Sequence, residues 1–165
     1  MNADYFIAHL QLQTHPEGGY FREIYRSPEK IDAAALPSRF GGARNFSTAI
    51  YYLLRRGEHS CFHRIKSDEC WHFYSGQTLL IHIIEPAGRY YSVKLGSNIF
   101  VGETFYFVVP AEAWFAAEPA PHSDFSLCGC TVAPGFDFAD FEIADKEKLL
   151  AAFPEHVDII GRLSR

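Results

Sequence analysis

From residue 20 to residue 133 the chain is cut into short runs rich in aromatic and β-branched residues, at 20–26, 46–54, 60–65, 70–74, 78–85, 90–95, 104–109, 113–117 and 125–133. Gly57, Gly76, Gly102, Pro110 and the turn-rich stretches 86–88, 96–98 and 119–121 separate most of them. Runs of this length suit strands rather than helices, and glycine or proline at the breaks favours chain reversal. Many short strands at close spacing bury their apolar residues by forming a sandwich or a jelly-roll barrel. The fold class expected is therefore all-β.

Helical patterning is confined to the ends. Phe6, Ile7 and Leu10 follow Asn2 and Asp4 at helical spacing, and His15-Pro16-Glu17-Gly18-Gly19 stops the pattern. Residues 145–153 read as a second helix, with Asp145 as N-cap and Pro154 as the stop. The stretch 27–45, with Pro28, Pro37 and the Gly41-Gly42 pair, reads as a long surface loop of the kind that covers a site. At 165 residues the chain is long enough for one core and too short for two ordinary domains, so a single domain over 1–165 is expected.

Charge and motif content narrow the partners. Fifteen basic against twenty acidic residues leave a net charge of -5, which attracts no polyanion, so nucleic acid is not expected. No apolar run approaches the ~20 residues that span a bilayer. The opening MNADYFIAHLQLQ has neither the basic start nor the apolar stretch of a secretory signal, so the expected address is cytoplasmic, without membrane contact. In that compartment Cys61, Cys70, Cys128 and Cys130 stay reduced and pack as small hydrophobes. No dinucleotide-binding or Walker pattern is present, and no cofactor is expected.

The stretch most suggestive of chemistry runs from Gly57 to Gly76. Strand alternation puts Cys61, His63 and Ile65 on one face and Phe62, Arg64 and Lys66 on the other. His63 then points into the interior, and the reversal that follows can bring Glu69 beside it.

Gly57, His63, Glu69 and Gly76 resemble the first motif of the cupin superfamily, a Gly, a His-x-His, a Glu and a closing Gly. Residues 102–115 stand where its second motif falls. Ile65 and Phe115 occupy two of the four positions that usually hold the metal, so no metal is expected, and one held by His63 and Glu69 alone would be weak. The chain is similar in more detail to the cupin branch classed as a domain of unknown function. That likeness rests on the segments HPEGGYF at 15–21, STAIY at 47–51, WHFY at 71–74, VVPA at 108–111, WFAA at 114–117 and GCTVAPGF at 129–136. It implies a double-stranded β-helix, commonly a homodimer, with a ligand cavity at the barrel mouth.

Some metal-free cupins act on nucleotide-linked sugars, using a barrel histidine as base and a tyrosine as acid. The resemblance thus implies His63, oriented by Glu69, as the catalytic base, with Tyr51, Tyr52, Tyr74 or Tyr106 as the acid. Arg64 and Lys66, with Arg22, Arg26 and Arg44, are available to hold an anion. Trp71, Phe73, Trp114 and Phe115 can form an apolar floor for a sugar or base. The ligand expected is a small polar or anionic molecule: a sugar, a nucleotide or a nucleotide-sugar. The expected activity is metal-independent isomerisation or epimerisation. Its rivals are a noncatalytic sensor or carrier and an ordinary metal-dependent cupin enzyme. The bland alternatives are that His63 and Glu69 only fix a hairpin and that the aromatics only fill the core. His72 falls on the opposite strand face, and Glu17 is placed to lie over the cavity of its own or a neighbouring subunit.

Overall fold

The computed structural model describes residues 1–165. Its strands in chain order are β1 (Gln13–Thr14), β2 (Tyr20–Arg26), β3 (Lys30–Ile31), β4 (Arg44–Asn45), β5 (Thr48–Arg55), β6 (Ser60–Ile65) and β7 (Asp68–Gly76). They continue as β8 (Leu79–Ile84), β9 (Tyr90–Leu95), β10 (Tyr106–Val109), β11 (Trp114–Pro119), β12 (Phe125–Ala133) and β13 (Phe141–Ile143). Helix α1 (Ala3–His9) precedes them, and α2 (Lys146–Ala152) and α3 (Val157–Leu163) follow.

Two antiparallel sheets face one another, one in the order β1-β2-β5-β12-β7-β10 and the other β13-β6-β11-β8-β9. This is the jelly-roll double-stranded β-helix. The short connection after β6 passes from one sheet to the other, so β6 and β7 stand on opposite walls. Alternation decides what enters the space between them. Tyr52 and Leu54 on β5, Trp71 on β7, Leu79, Ile81 and Ile83 on β8, and Phe115 on β11 meet in one cluster of 13 buried residues. Those side chains fill one end of the barrel, and Tyr52 marks the border with the space left at the other.

The outer faces are closed by the ends of the chain. Phe6, Ile7 and Leu10 pack on Leu53, Phe125 and Leu127, and Asn2 caps α1 by accepting the Tyr5 N–H at 3.0 Å. Leu149, Ile160 and Leu163 of α2 and α3 cover Phe62, Ile84 and Ala116. Burying each such large side chain contributes about 1.5–3 kcal/mol. No helix is long and apolar enough to cross a membrane.

Three elements depart from the sequence pattern. Pro154 ends α2 but opens a further helical turn that leads into α3, because proline is tolerated where a first helical turn needs no N–H partner. Strand β13 is three residues long, too short to show alternation, and forms only by pairing with β6. The stretch 27–45 is partly ordered as the β3–β4 pair, and Arg44 within it is buried against Asp140.

Candidate functional site

At the unfilled end of the barrel lies a cavity of about 80 Å³, enough for several waters or a small head group. Its polar lining is His15, Glu17, Glu23, Arg26, Thr48, Tyr52, His63, Glu69 and Cys130. Ile50, Ile65, Val132 and the phenylalanines 21, 136, 138 and 141 complete the wall.

Glu17 enters this cavity because of the two glycines that follow it. Gly18 has φ +118°, and a Cβ there would lie 2.1 Å from the His59 carbonyl oxygen, so the chain passes too close to β6 for any side chain. The loop is fastened on both sides. The Cys61 N–H donates to the Glu17 carbonyl at 2.9 Å, and the Tyr52 hydroxyl donates to the Gly18 carbonyl at 2.7 Å. Both contacts hold the Glu17 side chain inward, where it is buried.

His63 is held at both ring nitrogens. Nδ1 lies 2.8 Å from the Cys61 carbonyl oxygen, which only accepts, so Nδ1 carries a hydrogen. Nε2 lies 3.2 Å from Glu17 Oε2. With Nδ1 already a donor, a neutral ring offers a bare Nε2, and an ionised carboxylate also only accepts. The contact therefore requires one proton shared between Nε2 and Oε2. The ring packs 4.0 Å from that of Phe115 and 5.4 Å from that of Phe141, which excludes water from its flanks.

Around this pair the charges are strongly shaped by burial. His15 receives the Glu17 N–H on Nδ1 at 3.3 Å, and burial lowers its pKa despite the nearby Glu17 carboxylate. Glu69, on β7, is pushed up to about 8 by burial and then by the charge of Glu17, against the opposing effect of a Cys130 hydrogen bond. Burial also pushes the Tyr52 phenol and the Cys130 thiol well above their usual values, so both are neutral. At the mouth, Arg26 binds Glu23 through two contacts of 3.0 and 2.7 Å and reaches Asn45 Oδ1 at 2.9 Å and the Phe136 carbonyl at 3.0 Å. Phe136, Phe138 and Phe141 interlock beside it with centroids 5.1–6.0 Å apart.

The residues singled out in the sequence divide. His63 and Glu69 both line the cavity, but the carboxylate that meets the imidazole is Glu17, which corrects the expected His63–Glu69 dyad. Tyr51 points outward, because Ile50 and Tyr52 take the inward positions on β5, and its ring lies 6.0 Å from that of Tyr74 on the outer face. Tyr106 is also outside, its hydroxyl 3.2 Å from Cys70 Sγ. Arg64 pairs with Glu142 at 2.7 Å and lies over the ring of Trp114 on the outer surface. Lys66 reaches Asp140 at 3.3 Å. Trp71, Phe73 and Phe115 belong to the filled part of the barrel, and Trp114 packs beneath the C-terminal helices. None of Arg64, Lys66, Trp71, Phe73, Trp114 and Phe115 lines the cavity.

The cavity residues outside the expected catalytic and binding set are Glu17, His15, Glu23 and the phenylalanines of the rim. Only Glu17 carried a signal, in the glycine pair that follows it. The donor set does not fit a divalent metal. Ile65 and Phe115 offer no ligand atom, both nitrogens of His63 are engaged, and no group of three or more His, Cys, Asp or Glu side chains is arranged around a common point.

Comparison with known proteins places this arrangement. Protein SO0799 from Shewanella oneidensis, whose crystal structure is known, is 42% identical and superposes with a TM-score of 0.90 over 100% of this chain and 98% of its own. Uncharacterized protein YML079W of Saccharomyces cerevisiae is 34% identical over 148 residues, 79% of this chain and 69% of the yeast protein. Oxalate decarboxylase from Bacillus subtilis shares the fold alone, at 16% identity and a TM-score of 0.55 over 89% of this chain and 36% of its own. A family model described as cupin superfamily (DUF985) matches residues 4–144. That span takes in both sheets and every residue of the cavity, and the chain belongs to this DUF985 family of the cupin superfamily.

Proposed function

We propose that the cavity takes a small polar organic molecule of the sugar class and moves a proton at a carbon beside its carbonyl, as a metal-independent isomerase or epimerase. The observation that carries this reading is the His63–Glu17 contact, a shared-proton pair aimed into a cavity walled by aromatic rings. When the shared proton leaves, Nε2 is bare beside a carboxylate that favours its protonation, and that form can take a proton from carbon. The enclosed volume suits a sugar head group, and a larger substituent would extend past Arg26 and the phenylalanine rim.

The test is turnover, followed by proton NMR, of a panel of aldoses, ketoses and nucleoside diphosphate sugars by wild type and His63→Asn. Turnover by wild type that falls at least about 100-fold in the variant supports the reading. A folded wild type that changes no member of the panel ends it.

A noncatalytic carrier is favoured by one observation: Tyr52 is the only one of the four candidate tyrosines in the cavity, and its hydroxyl is committed to Gly18. Saturable thermal stabilisation by a panel sugar without product would select the carrier.

We further propose a cytoplasmic homodimer. Four free thiols suit a reducing compartment. On the outer face Tyr51, Tyr74, His72 and Tyr106 form a chain of ring contacts 5.2–6.5 Å apart, with Tyr74 and Tyr106 exposed, a surface suited to a second copy. Light scattering that gives the mass of one chain would overturn the dimer.

A further inference from the structure

We propose that Glu69 is the proton donor of this site, standing on the wall opposite the His63–Glu17 pair and delivering its proton to the carbonyl oxygen of the bound molecule. The assignment rests on the proton-transfer reading above and supplies the acid that the tyrosines do not.

Three carboxyl groups line the cavity, and their partners differ. Glu17 faces His63 at 3.2 Å and His15 at 3.5 Å. Glu23 is paired with Arg26. Glu69 has no Lys, Arg or His in ion-pair contact, and only 8% of it is exposed. Ionising a carboxyl under those conditions leaves an uncompensated charge in a poorly solvated space, so the group keeps its proton instead. The other titratable groups facing the same space are the Cys130 thiol and the Tyr52 phenol, both neutral, His15, whose pKa is lowered by burial, the His63–Glu17 pair, and Arg26 with Glu23. Arg26 is bound to Glu23 at 2.7 Å and the His63–Glu17 pair with its one shared proton has no net charge, so neither forms an ion pair that would draw the proton off Glu69. The rise of Glu69 to about 8 agrees with this geometry.

Position completes the argument. Glu69 is on β7 of the six-stranded sheet and His63 on β6 of the five-stranded one, so acid and base come from facing walls. A molecule between them is reached from both sides. In the cupin pattern that the sequence resembles, Glu69 stands at a metal-binding position. Here its companion positions, Ile65 and Phe115, are apolar, and a neutral carboxylic acid takes over the polarisation of a carbonyl.

The step balances without a co-reactant. With its shared proton released to solvent, the His63–Glu17 pair takes the proton from the carbon beside the carbonyl onto Nε2, and the C–H electrons become the C=C bond of an enol. The carbonyl π electrons take the Glu69 proton as the enol O–H forms, leaving Glu69 a carboxylate. In isomerisation the pair delivers its proton to the neighbouring carbon and Glu69 takes the proton of the hydroxyl that becomes the new carbonyl, which regenerates both groups. In epimerisation Glu69 recovers the enol O–H proton and delivers it to the opposite face of the carbon, and exchange with solvent then removes the pair's proton and reprotonates Glu69.

The experiment has two arms, on wild type, Glu69→Gln and Glu69→Asp. The first records the infrared carbonyl band of protonated carboxyl groups in wild-type minus E69Q difference spectra between pH 6 and 10. The expected result is a band present at pH 6.5 that disappears around pH 8. Its absence at pH 6.5 shows an ionised Glu69 and overturns the donor role, whatever the protein catalyses. The second measures turnover of the aldose, ketose and nucleoside diphosphate sugar panel. The expected result is a loss of about 10²- to 10⁴-fold in kcat for E69Q, partial rescue by E69D, and a wild-type kcat that falls as pH rises past 8. Turnover by E69Q at the wild-type rate overturns the donor and leaves the proton-transfer reading standing. A protonated Glu69 in a wild type that turns over nothing in the panel overturns both.

Discussion

Glu17 Oε2 lies 3.2 Å from His63 Nε2, and the other ring nitrogen of His63 is held 2.8 Å from the Cys61 carbonyl. The imidazole is thus fixed by its own strand and given its carboxylate by a loop more than forty residues earlier in the chain. Glu17→Gln keeps the size and lets an amide N–H donate to Nε2, but it removes the group that shares the proton. Steady-state kinetics on any sugar the wild type turns over should show kcat down by about 10²- to 10⁴-fold. The denaturant midpoint should change little, because the loop is held by backbone bonds at residues 17 and 18. An unchanged kcat would remove Glu17 from the base.

The same loop sets a stability prediction. Gly18→Ala forces a side chain into φ +118° with its Cβ 2.1 Å from the His59 carbonyl oxygen, so either the loop lifts from β6 or the strand shifts. Strain of this kind costs about 1–3 kcal/mol, measurable as a lower urea midpoint. Because Glu17 is carried on the displaced segment, the variant should also lose turnover or sugar binding. Retention of both stability and function would mean that the close approach does not position Glu17.

How much of this could be read from the chain depends on the range of the interaction that decides each feature. Strand alternation is local, and it correctly turned His63 and Trp71 inward and Arg64 and His72 outward. Which inward residues line a cavity and which fill the core depends on depth along the barrel, a property of register between sheets. Trp71 and Phe115 look as able to meet a ligand as Ile50 and Phe136, yet the first two are packed at the filled end. The Glu17 contact depends on loop closure over β6, and the nearness of Glu69 in sequence made it the more visible partner for His63. Strand β13 and the three rim phenylalanines at 136, 138 and 141 follow the last long strand in a segment with no periodicity to betray their return to the mouth.

A further prediction concerns the anchor of the segment between β2 and β5. Arg44 contacts Asp140 through two bonds of 2.5 and 2.6 Å, Lys66 adds a third at 3.3 Å, and Arg44 and Asp140 are both buried. Burial alone would raise the Asp140 pKa, but Arg44 and then Lys66 outweigh it and hold the carboxyl below its ordinary value. A depressed folded-state pKa contributes stability above the unfolded value and loses it as pH falls through the folded one. Asp140→Asn should therefore destabilise the protein by about 3–5 kcal/mol at pH 7, since it strands the Arg44 charge. The loss should shrink as pH falls below the ordinary aspartate value, where the wild-type aspartate also protonates. Urea titrations of both proteins at several pH values test this, and an equal midpoint at pH 7 would show that the ion pair contributes nothing net.

Glu69 gives the opposite pH dependence. Its pKa rises from an ordinary 4.5 to about 8 on folding, so the native state holds a proton that the unfolded chain releases over that interval. Stability then falls as pH rises between those two values, at up to about 1.4 kcal/mol per unit, and levels off above the folded pKa. Glu69→Gln keeps a neutral side chain of similar shape and removes the titration. Below pH 4.5 the variant and wild type should melt alike, and the variant should become progressively the more stable through pH 8, by a few kcal/mol at the upper end. Melting curves from pH 4 to 9 measure the difference. A wild type that gains no deficit relative to E69Q over this interval would place an ionised carboxylate at Glu69 in the native state. The wall facing His63 would then be negatively charged and would repel an enolate instead of protonating it.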